Sequence, residues 1–184
     1  MRNSWKLGVV LLAFVILASG CGYNKTIALQ EGVDAQWAQV ENQLKRRYDL
    51  IPNLVETVKG YAQHEKELLT HIADVRTSYF QANSRNDKIK AATELEGVLS
   101  KLLVLKETYP DLKANESFMK LQDSLEGTEN RIAVERKRYN DAVKELNTYI
   151  RGIPGSWWAS MTGVTTAEYF SVEEEAKATP KVKF

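Results

Sequence analysis

Residues 44–58 read LKRRYDLIPNLVETV, and the parsing of this stretch decides the fold. Leu44, Ile51 and Val58 stand seven apart. The same frame runs outward to Trp37 and Val40 on one side and through Leu54 and Tyr61 to Leu68, Ile72, Val75 and Tyr79 on the other. Alternating steps of three and four describe one apolar face of a helix. Arg47 and Glu65 are the polar interruptions in that frame. Pro52 removes the N–H that would bond the carbonyl of Tyr48 and crowds that turn, a cost of about 3 kcal/mol in a straight helix interior. The apolar phase nevertheless survives the proline. The spacing therefore predicts one long helix over 33–82, kinked near Leu50. The alternative is two helices, with Pro52 in the first turn of the second, where proline is readily accepted.

Asn83-Ser84-Arg85-Asn86-Asp87 reads as a polar connector with capping residues. The next helix carries Ala91, Leu95, Val98, Leu102, Leu105 and Tyr109 and stops at Pro110, and Asp111 is expected to cap a third. In that third helix Phe118, Leu125, Ile132, Tyr139 and Leu146 repeat at sevens, a coiled-coil spacing. Glu135 interrupts the companion row of Leu121, Thr128, Ala142 and Tyr149. Regular helix is expected to end near Arg151, where Gly152, Pro154 and Gly155 punctuate the chain. No strand pattern competes. The fold class is all-α: an elongated antiparallel helical bundle of three long helices, four if the kink is a true break.

The first residues place the chain in the cell. Arg2 and Lys6 precede an apolar run from Leu7 to Ala18, then Ser19-Gly20-Cys21, the layout of an export signal. The run falls short of the ~20 residues that cross a bilayer as a helix. Ala18-Ser19-Gly20-Cys21 resembles a lipobox, at which a signal is cut before a diacylated cysteine bearing chains such as palmitate. Ala stands where Leu is usual, three before the cysteine, with Leu17 one step back. An uncleaved anchor over Leu7–Cys21 is the alternative, and either tethers the protein to a membrane. Cys21 is the single cysteine, so no intramolecular disulfide forms. The expected organisation is a signal segment at 1–20, a linker at 21–32, the helical bundle at 33–152, an aromatic segment at 153–170 and a charged mobile tail at 171–184. With Arg2 and Lys6 taken from the 25 basic side chains, 23 would face 24 acidic ones. That balance carries no electrostatic footprint for nucleic acid.

Several motifs carry chemical readings beside plainer ones. Asn42, Arg46, Asp49, Asn53 and Glu56 fall at helical spacing on the side away from the core, as a solvated face or a partner-docking strip. Arg47 lies in the core frame, where it can snorkel or pair with Glu65 or Glu135. His64, Glu67 and His71 could share a metal. However, position 68 is Leu where the zinc-protease helix has its second histidine, and no Glu precedes either histidine by three. No catalytic group, metal or cofactor is expected. Trp157-Trp158 either cap the core or sit at a membrane interface. Three antiparallel legs would put them far from the anchor, and four would bring them back beside it.

Cys21-Gly22-Tyr23-Asn24, Gln36-Trp37, Val40-Glu41-Asn42-Gln43, RRYDLIPNLVETVKGYAQHE over 46–65, Tyr139-Asn140, Asn147-Thr148-Tyr149-Ile150 and the final PKVKF together resemble the LemA family. The resemblance spans the mature chain. It implies a membrane-anchored, extracytoplasmic helical bundle with no established enzymatic activity, and no catalytic or ligand residue is carried over. The expected function is a lipoprotein interaction or scaffold module with an unknown protein partner. A metal-binding bundle and a membrane-remodelling protein are the alternatives. Gly22 after the cysteine is not the aspartate-type retention signal, which points to the outer membrane where the organism has one.

Overall fold

A computed structural model describes residues 4–171, with side chains from residue 22 on. The expected signal cleavage, the Cys21 side chain and nearly all of the expected tail at 171–184 lie outside the described residues. The described chain is all-helical: α1 (Ser4–Lys59), α2 (Lys66–Gln81), α3 (Arg85–Thr108), α4 (Pro110–Lys113), α5 (Glu116–Arg151) and α6 (Gly155–Thr162).

Residues 21–32, expected as a linker, are part of α1, and Thr26 and Val33 are already buried there. α1 also runs unbroken through Pro52. The break comes later. The helix stops at Lys59 before Gly60, and a turn holds Ala62 fully buried, with the Tyr61 and Ala62 amides both donating to the Val58 carbonyl. Side chains from further along pin this turn. Asn115 Nδ2 donates to the Tyr61 hydroxyl at 2.8 Å, and the Tyr109 hydroxyl donates to Glu65 Oε1 at 3.1 Å. The expected single helix over 33–82 is thus two helices, joined at 60–65 and not at the proline. The apolar frame shifts with the turn. Tyr61 is exposed, and Leu69, not Leu68, enters the core ahead of Ile72, Val75 and Tyr79.

α2 and α3 pack against each other across a short polar link. Ser84 caps α3, accepting from the Asp87 amide at 3.1 Å while its hydroxyl donates to Asp87 Oδ2 at 2.6 Å. Asp111 does not cap the third long helix. Pro110 opens the single turn of α4, and α5 starts at Glu116 with Asn115 Oδ1 accepting from the Phe118 amide at 2.9 Å. All five residues of the seven-step row, Phe118, Leu125, Ile132, Tyr139 and Leu146, are buried.

The chain forms two compact units. One takes the chain up to Gln39 together with Lys137–Tyr169, and the other Val40–Arg136 with the chain from Phe170 on. In the first, Trp37 meets Tyr139 edge to face, with ring centroids 5.4 Å apart. In the second, Leu44, Ile51, Leu54, Ile72, Leu95 and Leu102 form the heart of the core.

Candidate functional site

In the second unit, the stretch around Pro52 assembles an aromatic and charged cluster. Leu44, Tyr48, Ile51, Leu54 and Val58 turn inward, and Tyr48 is fully buried. Its ring stacks on Tyr79 at 4.2 Å and meets Phe80 edge to face at 5.8 Å. Arg76 lies over Phe80 at 5.0 Å, and its Nε donates to the Tyr48 carbonyl at 3.3 Å. Burial, with Tyr79 beside it, pushes the Tyr48 phenol up, and its hydroxyl finds no hydrogen-bond partner among the described residues. Burial likewise pushes Tyr79 up, with Glu41 adding to the shift. Arg47 is buried and pairs with Glu129, a partner the sequence did not suggest. Lys88 pairs with Glu41.

Asn42, Arg46, Asp49, Asn53 and Glu56 are all exposed on α1. The row is therefore open along a segment whose inward residues are fixed by packing. Beside it, a groove of about 640 Å³ between the end of α1 and the start of α2 is lined by Val55, Ala62, Leu69 and Ala73 together with Lys59 and Lys66. Its lining holds cations and no carboxylate.

The structure does not bring His64, Glu67 and His71 together as metal ligands. His64 falls in the 60–65 turn before α2 begins, which removes the helical register that would align it with the other two. All three are exposed, and His71 Nε2 lies 3.1 Å from Glu94 Oε1. Among the described residues no group of three or more His, Cys, Asp or Glu side chains is placed to hold a metal.

In the first unit a second constellation forms around the C-terminal segment. Asn147, buried on α5, clasps Ala167 twice. Its Nδ2 donates to the Ala167 carbonyl at 2.8 Å and its Oδ1 accepts from the Ala167 amide at 2.9 Å. The Tyr139 hydroxyl donates to the Glu168 carbonyl at 2.8 Å. α6 ends on Gly163, whose φ of 71° is the left-handed cap that lets the Val164 amide reach the Ala159 carbonyl at 3.1 Å.

The two tryptophans part company. Trp158 is half-buried and lays its indole against Gly22, where any Cβ would collide with it. Trp157 stays exposed. They are not a shared cap on the core. The Tyr149 hydroxyl also donates to the Gly22 carbonyl, at 3.2 Å, and Lys25 Nζ sits 4.8 Å from the Tyr149 ring centroid.

Sequence reasoning found the exposed row but missed Tyr48, Arg76, Asn115 and Asn147. Tyr48 is one step from Arg47 and widens the buried stripe, a signal visible in the sequence. The partners of Arg76, Asn115 and Asn147 lie 20 or more residues away in the chain, and nothing local announces them.

The model of the LemA family matches residues 36–184. Magnetosome protein MamQ 2 of Paramagnetospirillum magneticum is 27% identical over 184 aligned residues, covering 86% of this chain and 67% of its own length. Magnetosome protein MamQ of Magnetospirillum gryphiswaldense is 24% identical with the same coverage. Protein LemA of Metamycoplasma hominis is 21% identical over 147 residues, covering 76% of this chain and 67% of its own length. Among the described residues no helix is long and apolar enough to cross a membrane.

Proposed function

Because the chain belongs to the LemA family, we propose that it is a membrane-anchored, extracytoplasmic lipoprotein whose helices act as a non-catalytic docking module for a protein partner. One observation carries the reading: the polar and charged row at 42, 46, 49, 53 and 56 is exposed on a helix whose opposite face is buried in the core. Such a surface offers fixed charges in a rigid frame, which favours selective recognition and rapid encounter over bulk affinity. Arg46 and Asp49 give it alternating sign, so a partner must match both.

Cys21 is the lipidation position in this reading, and the short apolar run before it supports cleavage over retention as a spanning helix. Gly22 favours the outer membrane where there are two. The names of the magnetosome relatives are compatible with a role as a structural component.

Crosslinking in intact cells tests the docking strip. The native chain should capture a specific protein, and an Arg46→Glu/Asp49→Lys variant should lose it. Unchanged capture by the variant would overturn the assignment of the strip.

A further inference from the structure

The geometry points to a lipid-facing ridge at α6: Trp157 and Met161 on the helix, with Ile153 in the turn before it, rest in the headgroup region of the membrane that anchors the chain, against anionic phospholipid. The inference builds on the membrane-anchor reading above. It concerns a different surface from the docking strip.

Trp157 and Met161 are spaced by four and share one face of α6, and Ile153 lies in the turn just before the helix, ahead of its N-cap Pro154. They are 79, 66 and 73% exposed, while Gly155 and Ala159 on the same short helix are buried. Three large exposed apolar side chains within nine residues mark an interaction surface, not scattered exposure. The fold states what lies next to it. Trp158 is pressed on Gly22 and the Tyr149 hydroxyl holds the Gly22 carbonyl, so α6 is fastened to the residue that directly follows Cys21. Whether the chain is held by acyl groups on Cys21 or by the apolar run before it, the bilayer begins about one residue from the Trp158 ring.

Charge at this end agrees. No acidic residue precedes Glu31, and none lies between Glu145 and Glu168. Lys25 and Arg151 are exposed. Glu31 lies nine residues after Gly22 along α1, about 13 Å of helix. The ridge thus has basic neighbours in the sequence. The carboxylates of Asp141 and Glu145 share their cleft with Lys25 and Lys144, which leaves Arg151 as the open charge beside an interfacial helix on anionic lipid. Trp157 suits the site, since its amphipathic ring settles at headgroup level. A second copy of the chain is the weaker occupant, because pairing two such ends would bring like charges together.

The test uses the full chain reconstituted into vesicles of phosphatidylethanolamine and phosphatidylglycerol carrying lipids brominated high on the acyl chain. The chain should float with the vesicles, and its tryptophan emission should be quenched. Trp157→Phe should remove part of that quenching, and Ile153→Glu/Met161→Glu should remove the same part while flotation persists. These positions are exposed, so circular dichroism should show all variants folded. Flotation without any quenching that depends on Trp157, with or without crosslinks between copies at position 161, would overturn the ridge and leave the anchor standing. Failure of the native chain to float would overturn the anchor and the ridge with it.

Discussion

Arg76 Nε donates to the carbonyl of Tyr48 at 3.3 Å, and that carbonyl is the one Pro52 leaves without its helical donor. A residue of α2 therefore supplies from outside what the proline takes away inside α1. The exchange explains how α1 passes through Pro52 and still buries Ile51 and Leu54 in phase with Leu44. It also ties α2 to the signature stretch at one defined point.

Arg76→Met keeps much of the side-chain stem and removes the donor. It is expected to cost about 2 kcal/mol, the range for a hydrogen bond from a charged group with a part-buried acceptor left behind. In a Pro52→Ala background residue 52 regains its N–H, and the same substitution should cost less by roughly 1 kcal/mol. Urea unfolding of the four chains closes the cycle. Equal costs in the two backgrounds would separate Arg76 from the proline.

Tyr48→Phe deletes a buried hydroxyl that has no partner among the described residues. At neutral pH stability should hold or rise by up to ~1 kcal/mol. The alkaline side carries the sign. Burial raises the folded-state pKa of Tyr48, so its contribution is fully present below the unfolded value of about 10 and is lost as pH climbs from there toward the folded value. The native chain should therefore lose melting temperature above pH ~10 more steeply than the Phe variant. Parallel thermal scans across that range decide it.

Glu129→Gln strips the buried Arg47 of its ionic partner and should cost about 2 kcal/mol, moderated by the partial exposure of the carboxylate. Arg47→Met/Glu129→Met removes the charge and its partner together and should recover most of that loss. Denaturant midpoints of the single and double variants are the comparison.

Asn147→Ala opens both bonds to Ala167 and should destabilise the first unit by about 2 kcal/mol. Hydrogen exchange at the Ala167 amide should accelerate strongly, since its acceptor is gone. Asn147→Asp keeps that acceptor and should retain most of the protection.

The long rows were legible because burial of one helical face leaves a periodic trace. Phe118 through Leu146 is the clearest case: five residues at sevens, all buried. The break between α1 and α2 was not legible. Steps of three and four remain readable across a short turn, so Tyr61 and Leu68 looked like core, while Gly60 gave a weaker signal than Pro52 a few residues earlier. Pro52 looked like the disruption because its remedy, Arg76, comes from another helix. The same holds for the site. An exposed row such as Asn42 to Glu56 follows from helical geometry alone, whereas the placement of Trp158 on Gly22 depends on which ends of the chain meet.

The contact between Trp158 and Gly22 reaches beyond packing. On the lipoprotein reading, the residue after Cys21 is where sorting machinery reads whether a protein stays or leaves, and here that residue is also the floor beneath an indole ring. Aspartate at this position, the usual instruction to stay, would need space that Trp158 already fills. On that reading, address and architecture share a single residue. A change of address at this residue would, on the same reading, also move the Trp158 ring that seats α6.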